Sequence, residues 1–252
     1  MLRRLLITLA LLCASAAPLS AEKIVLGLSQ DEVAITATFE GSEILIYGAV
    51  SRVAPAPDGN TGIIIAVSGP LEPVTVRRKE RKFGIWVNSD AVEVDAAPSF
   101  YAVATSAPFT EVLTDVEDLR HKISIPRAIR AVGTGVSDSE NFTEALIRVR
   151  ENAGLYQVLD NTVSFEQGTL FGTSIALPAN LTEGMYSTRI FLTRDGAVVD
   201  EYVTQIPVNK VGIERWLYEL AHQQAFIYGL MSLAIAIAAG WGASAAFSLL
   251  RR

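Results

Sequence analysis

Two histidines are the first candidates for chemistry in this sequence. His222 follows Glu219 by three residues, a spacing that di-iron helical bundles use in pairs to place two ligands on one helix face. The spacing occurs once here, so it predicts no metal site. His121 ends a predicted helix, where a positive charge is favourable, and we expect it to have a structural role.

Known catalytic and nucleotide-binding motifs are absent from the sequence. It has no Gly-x-Ser-x-Gly elbow, P-loop, Rossmann glycine pattern, zinc-protease motif or EF-hand loop. Asp115, Glu117 and Asp118 crowd one predicted helix, and we expect them to form a solvated face. We therefore predict no catalytic residue, no metal ligand and no cofactor. An enzyme of unrecognised type is the least favoured hypothesis.

The most unusual segment is basic. Between residues 77 and 82, five of six residues are lysine or arginine, in a chain that is acidic as a whole. They form a candidate docking patch for an anionic partner or for anionic lipid headgroups, and its members are Arg77, Arg78, Lys79, Arg81 and Lys82. The alternative is a polar hairpin whose charges prevent association through an exposed strand edge.

The N-terminal residues predict a signal peptide. Arg3 and Arg4 precede an apolar stretch at residues 5–12, which is too short to span a bilayer. Small residues follow, and we place cleavage after Ala21, which gives a signal peptide of residues 1–21. An uncleaved N-terminal anchor is the alternative, but the short apolar stretch disfavours it.

The C-terminal end predicts a membrane anchor. Residues 225–250 carry no charge, and a helix of that length reaches about 39 Å, more than the ~30 Å of a hydrocarbon core. Arg251 and Arg252 follow as a predicted cytoplasmic tail. The alternative is a buried core helix.

Small residues recur at every fourth position of the anchor and predict a helix-packing face, centred on Ala236, Gly240 and Ser244. The alternative reading is that such residues are simply common in membrane helices. A packing face would fit a protein that assembles with a membrane-protein partner or with further copies of itself.

Composition narrows the class of partner and the compartment. Without the four arginines at the two ends, 17 basic residues stand against 27 acidic ones, a formal net charge of −10. This balance disfavours nucleic acid as a partner, because binding to its phosphates requires a positively charged protein surface. Cys13 lies in the predicted signal peptide and is the chain's single cysteine, so the exported part has no disulfide and must be held by its hydrophobic core.

The exported part predicts a mainly β fold. Short alternating segments separated by turn residues indicate immunoglobulin-like β-sandwich modules, and Asp195-Gly196 is a strong hairpin signal. Residues 181–186 resemble a tyrosine corner that is closed by Tyr186. A period of 3.6 predicts one helix from Thr110 to Ile123 and a second helix over residues 138–152.

These patterns give the following organisation: an N-terminal β-sandwich domain (22–106), a helical connecting segment (107–153), a second β-sandwich-like domain (154–210), a juxtamembrane amphipathic helix (211–224), a transmembrane helix (225–250) and the tail (251–252). The exported length of roughly 190 residues suits one domain or two, and the sequence leaves that choice open.

The chain resembles the Alph_Pro_TM family of alphaproteobacterial transmembrane proteins of unknown function. The likeness rests on Phe39-Glu40-Gly41-Ser42, Ile46-Tyr47-Gly48, Gly69-Pro70, Val76-Arg77-Arg78-Lys79 and Gly84-Ile85-Trp86-Val87-Asn88, together with the shared plan of signal peptide and C-terminal anchor. The resemblance implies an inner-membrane protein that faces the periplasm, and it implies no catalytic residue. Genes of the family often lie beside a sulfite-exporter-like permease, which implies a membrane partner.

The leading functional hypothesis is a non-enzymatic interaction protein, an accessory subunit of a membrane complex such as a transporter. We expect a single-pass protein of the bacterial inner (plasma) membrane with its N-terminal domain in the periplasm and its C-terminus in the cytoplasm. Its expected partners are the lipid bilayer and either a membrane protein, with a permease as one candidate, or a second copy of the chain. The alternative is a periplasmic module that binds or senses a small anion through residues 77–82.

Overall fold

The computed structural model describes residues 22–29, 32–35, 39–52, 59–130, 139–210 and 213–250. The predicted signal peptide and the two terminal arginines lie outside the described residues. The chain divides into two compact units, one with residues 40–207 and the segment before residue 32, the other with residues 32–39 and 208–252.

The described residues form twelve strands and six helices. The strands are β1 (Glu22–Leu28), β2 (Val33–Ile35), β3 (Ser42–Arg52), β4 (Thr61–Ser68), β5 (Leu71–Lys82), β6 (Ile85–Pro98), β7 (Tyr101–Thr105), β8 (Tyr156–Leu159), β9 (Ser164–Glu166), β10 (Leu170–Leu177), β11 (Gly184–Arg194) and β12 (Ala197–Lys210). The helices are α1 (Phe109–Val112), α2 (Asp115–His121), α3 (Ile125–Ala128), α4 (Ser139–Asn152), α5 (Ile213–Gln223) and α6 (Ala225–Leu250). The predicted mainly β character is confirmed.

The strands of the first unit form two sheets and a separate ribbon. A four-stranded antiparallel sheet has the order β1-β3-β10-β9. The larger sheet has the order β12-β11-β4-β7-β8, and its last pair is parallel. Strands β5 and β6 pair with each other in a long two-stranded ribbon.

Hydrogen bonds join the two β regions that the sequence analysis separates. In the smaller sheet β3 pairs with β10, and in the larger one β4 pairs with β11 and β7 with β8. Strand β4 runs through the centre of the larger sheet, and residues 62–67 are buried along its length. The strands of residues 22–106 and 154–210 thus share both sheets.

The hairpin and the tyrosine corner predicted from the sequence are confirmed. Asp195 and Gly196 both have positive φ, 49° and 79°, the backbone that a two-residue hairpin between β11 and β12 requires. The hydroxyl of Tyr186 donates a hydrogen bond to the carbonyl of Thr182 at 2.9 Å. This bond closes the bend ahead of β11.

The single helix predicted from Thr110 to Ile123 is wrong. Leu113 is extended and buried, and it separates α1 from α2. The amide of Thr114 donates to the carbonyl of Gly196 at 2.9 Å, so the break is fixed by the β11–β12 turn. Tertiary contacts therefore override the helical period.

The second predicted helix is confirmed as α4. Phe142 and Leu146 are buried on its apolar side. Gly154 follows with φ of 70°, and the amide of Leu155 donates back to the carbonyl of Arg150 at 2.9 Å, as in a Schellman end. Residue 138, the predicted start of this helix, lies outside the described residues.

The second unit contains the predicted anchor. Strand β2 pairs in parallel with the end of β12, from Val208 to Lys210. Helix α5 follows, and α6 includes a stretch, Ala225–Ser244, that is long and apolar enough to cross a membrane. No part of this stretch is buried in the described structure.

Candidate interaction surfaces

The β5–β6 ribbon carries the predicted docking patch. At the base of the ribbon Val92 and Val94 are buried in the core, and Val74 and Val76 pack against it from β5. Toward the turn the core contacts end and the side chains become exposed. The basic residues lie on this outer half.

The turn of the ribbon presents a large apolar side chain to solvent. Phe83 and Gly84 have φ of 52° and 87°, so both adopt the left-handed backbone of a two-residue hairpin. Glycine takes this conformation without strain, whereas Phe83 takes it at a cost. Phe83 is fully exposed, and Ile85 and Trp86 beyond it are 65% and 69% exposed. These three residues are called the hairpin tip below.

The ribbon divides the five basic residues between its two faces. Because side chains alternate along a strand, Arg77, Lys79 and Arg81 share one face, and Trp86 lies directly across from Arg81. Arg78 and Lys82 point to the other face, where Asp90 and Glu80 approach them at 4.0 Å and 3.6 Å. The first three are called the basic face below, and among the described residues no carboxylate forms an ion pair with them.

A groove lies between the ribbon and α4, and Arg77 of the basic face also borders it. It has a volume of about 360 Å³, and its charged lining consists of three arginines and one carboxylate, namely Arg77, Arg78, Arg148 and Glu144. The guanidinium of Arg78 lies over the ring of Phe142, 4.6 Å from its centre, which fixes the side chain at the groove wall. The groove is therefore positively charged.

A buried carboxylate and two arginines hold β1 to β3 and to β11. Glu22 is 5% exposed and accepts a hydrogen bond from Nε of Arg52 at 2.7 Å and another from Arg194. Burial by itself raises the pKa of Glu22, but the hydrogen bonds and charges of the two arginines outweigh it and lower the pKa below the usual 4.5. Glu22 is thus an ionised link between the two sheets.

The acidic cluster of α2 is only partly the solvated face expected from the sequence: Asp115 is exposed, but Glu117 and Asp118 are not. Glu117 is buried, bonds Arg120 at 2.7 Å and lies 3.5 Å from Nε2 of His121. Asp118 accepts hydrogen bonds from the amides of Ile123 and Ser124 at 3.1 Å and 2.7 Å. Asp118 holds the loop after α2, and Glu117 also accepts a hydrogen bond from the amide of Val198 at 3.3 Å. A sequence pattern could not show these contacts, because their donors lie beyond the helix.

The two histidines make structural contacts. His121 lies between Glu117 and Glu201, with its Nδ1 3.5 Å from the second carboxylate, and its ring meets Phe191 edge-on. His222 stacks on Tyr218 with ring centres 4.0 Å apart. Within the described ranges, no group of three or more histidine, cysteine or carboxylate side chains is arranged to hold a metal ion.

Buried tyrosines serve as hydrogen-bond donors. Tyr101 donates to the carbonyl of Ile123 at 2.8 Å, and Tyr156 donates to the carbonyl of Pro98 at 2.8 Å. Burial raises the pKa of Tyr101 above its usual value and that of Tyr156 to about 12. Both hydroxyls therefore stay protonated at neutral pH, which suits a structural donor.

The membrane helix α6 carries small residues on two opposite sides, of which one is the predicted packing face and the other includes Ala238 and Gly242. Ala236, Gly240 and Ser244 follow at intervals of four residues, and a Cβ placed on Gly240 would meet no atom within 4 Å. Large apolar residues such as Ile237 and Trp241 are exposed, and Leu233 lies on the same side as Ala236 and Gly240. The side that carries Ala236, Gly240 and Ser244 is called the seam below.

Comparison with known proteins supports the membrane assignment. The model of the family described as "Putative transmembrane protein (Alph_Pro_TM)" matches residues 23–249. The match begins within β1 and ends within α6, so it covers the β strands, the ribbon and the anchor. No curated protein matches the chain.

Proposed function

Since this chain belongs to the Alph_Pro_TM family of transmembrane proteins, we propose that it is a non-enzymatic accessory subunit of a membrane complex, such as a transporter. Membership confirms the resemblance drawn from the sequence. In this proposal a signal peptide exports the β domain to the periplasm, and α6 holds it in the inner (plasma) membrane with a cytoplasmic C-terminus. The partner is a permease, another membrane protein or a second copy of the chain.

The seam of α6 carries this proposal. A simple tether needs only apolar length, which the 26 residues of α6 supply. Association between membrane helices depends on close approach of their backbones, for which glycine, alanine and serine at one face are suited. The position of Ala236, Gly240 and Ser244 on one side of an exposed helix thus supports binding within the membrane.

The use of charged side chains in the β domain supports a non-enzymatic role. Glu22, Glu117 and Asp118 are each engaged by arginines, a histidine or backbone amides that fix strands and loops. Catalytic acids and bases instead converge on a pocket where a substrate can reach them. The confirmed tyrosine corner in turn supports an immunoglobulin-like arrangement of the β domain, a scaffold common in interaction modules.

Replacing Gly240 and Ser244 by leucine is expected to leave membrane insertion intact and to reduce recovery of the partner, or of the oligomer, by roughly tenfold, which corresponds to about 1.4 kcal/mol. Bulky side chains in the seam hold the two backbones apart, while added leucine favours insertion. Crosslinking in membranes and co-purification in mild detergent measure the loss.

The matched control is leucine at Ala238 and Gly242. These residues are also small and four apart, but they lie two positions along the helix and so on its opposite side. The control pair is expected to behave as wild type. Equal recovery of the partner by the seam variant and the wild type would show that α6 acts only as a tether.

The positively charged groove supports a second candidate function, the binding or sensing of a small anion. Three arginines and one glutamate are among the residues that line a volume of about 360 Å³, which accommodates an oxyanion such as sulfate. Arginine is suited to this task because its planar fork matches such oxygens. In this alternative the ribbon forms one wall of a ligand site.

Sulfate is expected to raise the thermal unfolding temperature of the wild type and not that of Arg148→Gln. Ligand that binds the folded state alone stabilises it by mass action. Arg127→Gln is the control, because Arg127 is exposed and does not line this groove. Identical responses of all three proteins, matched by chloride at equal ionic strength, would reject the anion site.

A further inference from the structure

The hairpin tip is an exposed apolar surface at the end of a rigid ribbon. Phe83, Ile85 and Trp86 are adjacent in the chain, and each exposes most of its surface. Single exposed apolar residues are common on proteins, but three large ones at one turn mark an interaction site. The backbone of Phe83, at φ of 52°, keeps the most exposed of them at the extreme end.

The surroundings of the tip are positively charged. The basic face runs along β5 up to the tip, with Arg81 directly across from Trp86. The exported part as a whole has a formal charge of −10, so a negatively charged surface repels most of it. The local basic face allows the hairpin tip to approach a negatively charged surface. The binding partner of the tip is therefore anionic.

The shape of the site distinguishes a lipid surface from a protein. A stable protein interface buries at least ~1,000 Å² in total, more than the end of a two-stranded turn offers by itself. A bilayer requires no complementary pocket, since aromatic and aliphatic side chains enter its interfacial region while basic side chains contact headgroups. The anchor α6 moreover keeps the chain at a membrane, which raises the effective concentration of lipid.

We propose that the hairpin tip inserts into the interfacial region of an anionic phospholipid bilayer, with Arg77, Lys79 and Arg81 bound to the headgroups. The ribbon is a second membrane contact of the chain, separate from the seam of α6. Phe83 and Trp86 enter the boundary between headgroups and acyl chains. The basic face remains at the level of the phosphates.

A fluorophore at the tip tests this contact in the full chain. Cys13 is the sole cysteine, so a Cys13→Ala, Phe83→Cys chain can be labelled at one position with an environment-sensitive dye. The protein is reconstituted into nanodiscs of phosphatidylcholine alone or of phosphatidylcholine with phosphatidylglycerol. Blue-shifted emission and quenching by nitroxide lipids are expected in the anionic discs, and weaker signals in the neutral ones.

Two control chains isolate the causes. A label at Thr75, on the same exposed face as the basic residues but eight residues and about 26 Å along the strand from Phe83, is expected to remain solvated. Glutamine at Arg77, Lys79 and Arg81 is expected to weaken insertion of the labelled tip by about fivefold for each charge removed, the equivalent of ~1 kcal/mol per basic residue.

Three results would overturn the proposal. A tip label that is solvated in both kinds of disc would show that the ribbon does not contact the bilayer. Quenching that is equal in both discs and unchanged by the glutamines removes the role of the basic face. A blue shift without quenching by nitroxide lipids places the tip against protein, which makes a partner or a second copy the occupant.

Discussion

Glu22→Gln is expected to destabilise the β domain by about 3–5 kcal/mol. The carboxylate is buried, and its two partners, Arg52 and Arg194, have side chains that are only 14% and 16% exposed. Removing the negative charge leaves two positive charges close together and poorly solvated. Strand β1 is held to β3 of its own sheet and to β11 of the larger sheet through this carboxylate, so its loss also loosens the edge of the smaller sheet.

Near-ultraviolet circular dichroism of the buried tyrosines, followed during denaturant unfolding of the full chain in detergent, measures this loss. Glu166→Gln is the control, since Glu166 is exposed and such surface changes usually stay within about 0.5 kcal/mol. Mass spectrometry of the purified N-terminus verifies that both variants are processed alike. A loss for Glu22→Gln no larger than that of the control would show that the two arginines do not depend on the carboxylate.

The pH dependence follows from the lowered pKa of Glu22. A carboxyl whose pKa is lower in the folded than in the unfolded chain stabilises the fold above the unfolded value, here 4.5, and loses that contribution as the pH falls through the folded pKa. The stability gap between wild type and Glu22→Gln is therefore expected to be constant from neutral pH down to about 4.5. Below that pH it shrinks, because protonated Glu22 resembles glutamine.

Features specified by neighbouring residues could be predicted from the sequence. The hairpin at Asp195-Gly196 needs two adjacent residues that tolerate positive φ, and the tyrosine corner needs Tyr186 at a fixed distance from the preceding bend. Helix α4 and the apolar stretch of α6 likewise have local signals, a 3.6-residue period and uninterrupted apolar length. Such signals do not depend on how the rest of the chain folds.

Features specified by distant residues could not be predicted. The break at Leu113 depends on a hydrogen bond from Thr114 to Gly196, and the burial of Glu117 depends on partners outside its helix. The pairing of β3 with β10 and of β4 with β11 joins segments more than 100 residues apart. Period and composition carry no information on such contacts.

The docking patch also combines features that the sequence predicts with features that only the structure shows. Five basic residues are visible as a run in the sequence, but only the strand register places Arg77, Lys79 and Arg81 on one face and Arg78 and Lys82 on the other. The exposed tip was missed as part of the site, because Phe83, Ile85 and Trp86 could equally have been core residues. An aromatic residue next to a glycine in a predicted turn, with basic neighbours, is the signal that indicates it.

The orientation of the chain is expected to give an all-or-none result with two reporters. Alkaline phosphatase, which requires disulfides and hence an oxidising compartment, is inserted between Asp58 and Gly59 and is expected to be active. A reporter that fluoresces only in the cytoplasm, fused after Arg252, is expected to fluoresce. The reason is that two arginines directly after an apolar span favour the cytoplasmic side, while the predicted signal peptide exports what precedes the span.

The insertion site is chosen so that the fold tolerates the reporter. It lies between β3, which ends at Arg52, and β4, which begins at Thr61, and loops of this kind accept insertions best. The amide of Asn60, on the β4 side of the insertion, donates a hydrogen bond to Asp195 at 2.9 Å, and this bond holds the start of the central strand.

An inactive phosphatase together with a C-terminal reporter that does not fluoresce would show that the orientation is the reverse of the one expected. The β domain would then face the cytoplasm, and the periplasmic role proposed for it would fall, while the helix seam and the lipid contact of the hairpin tip could still be tested on their own.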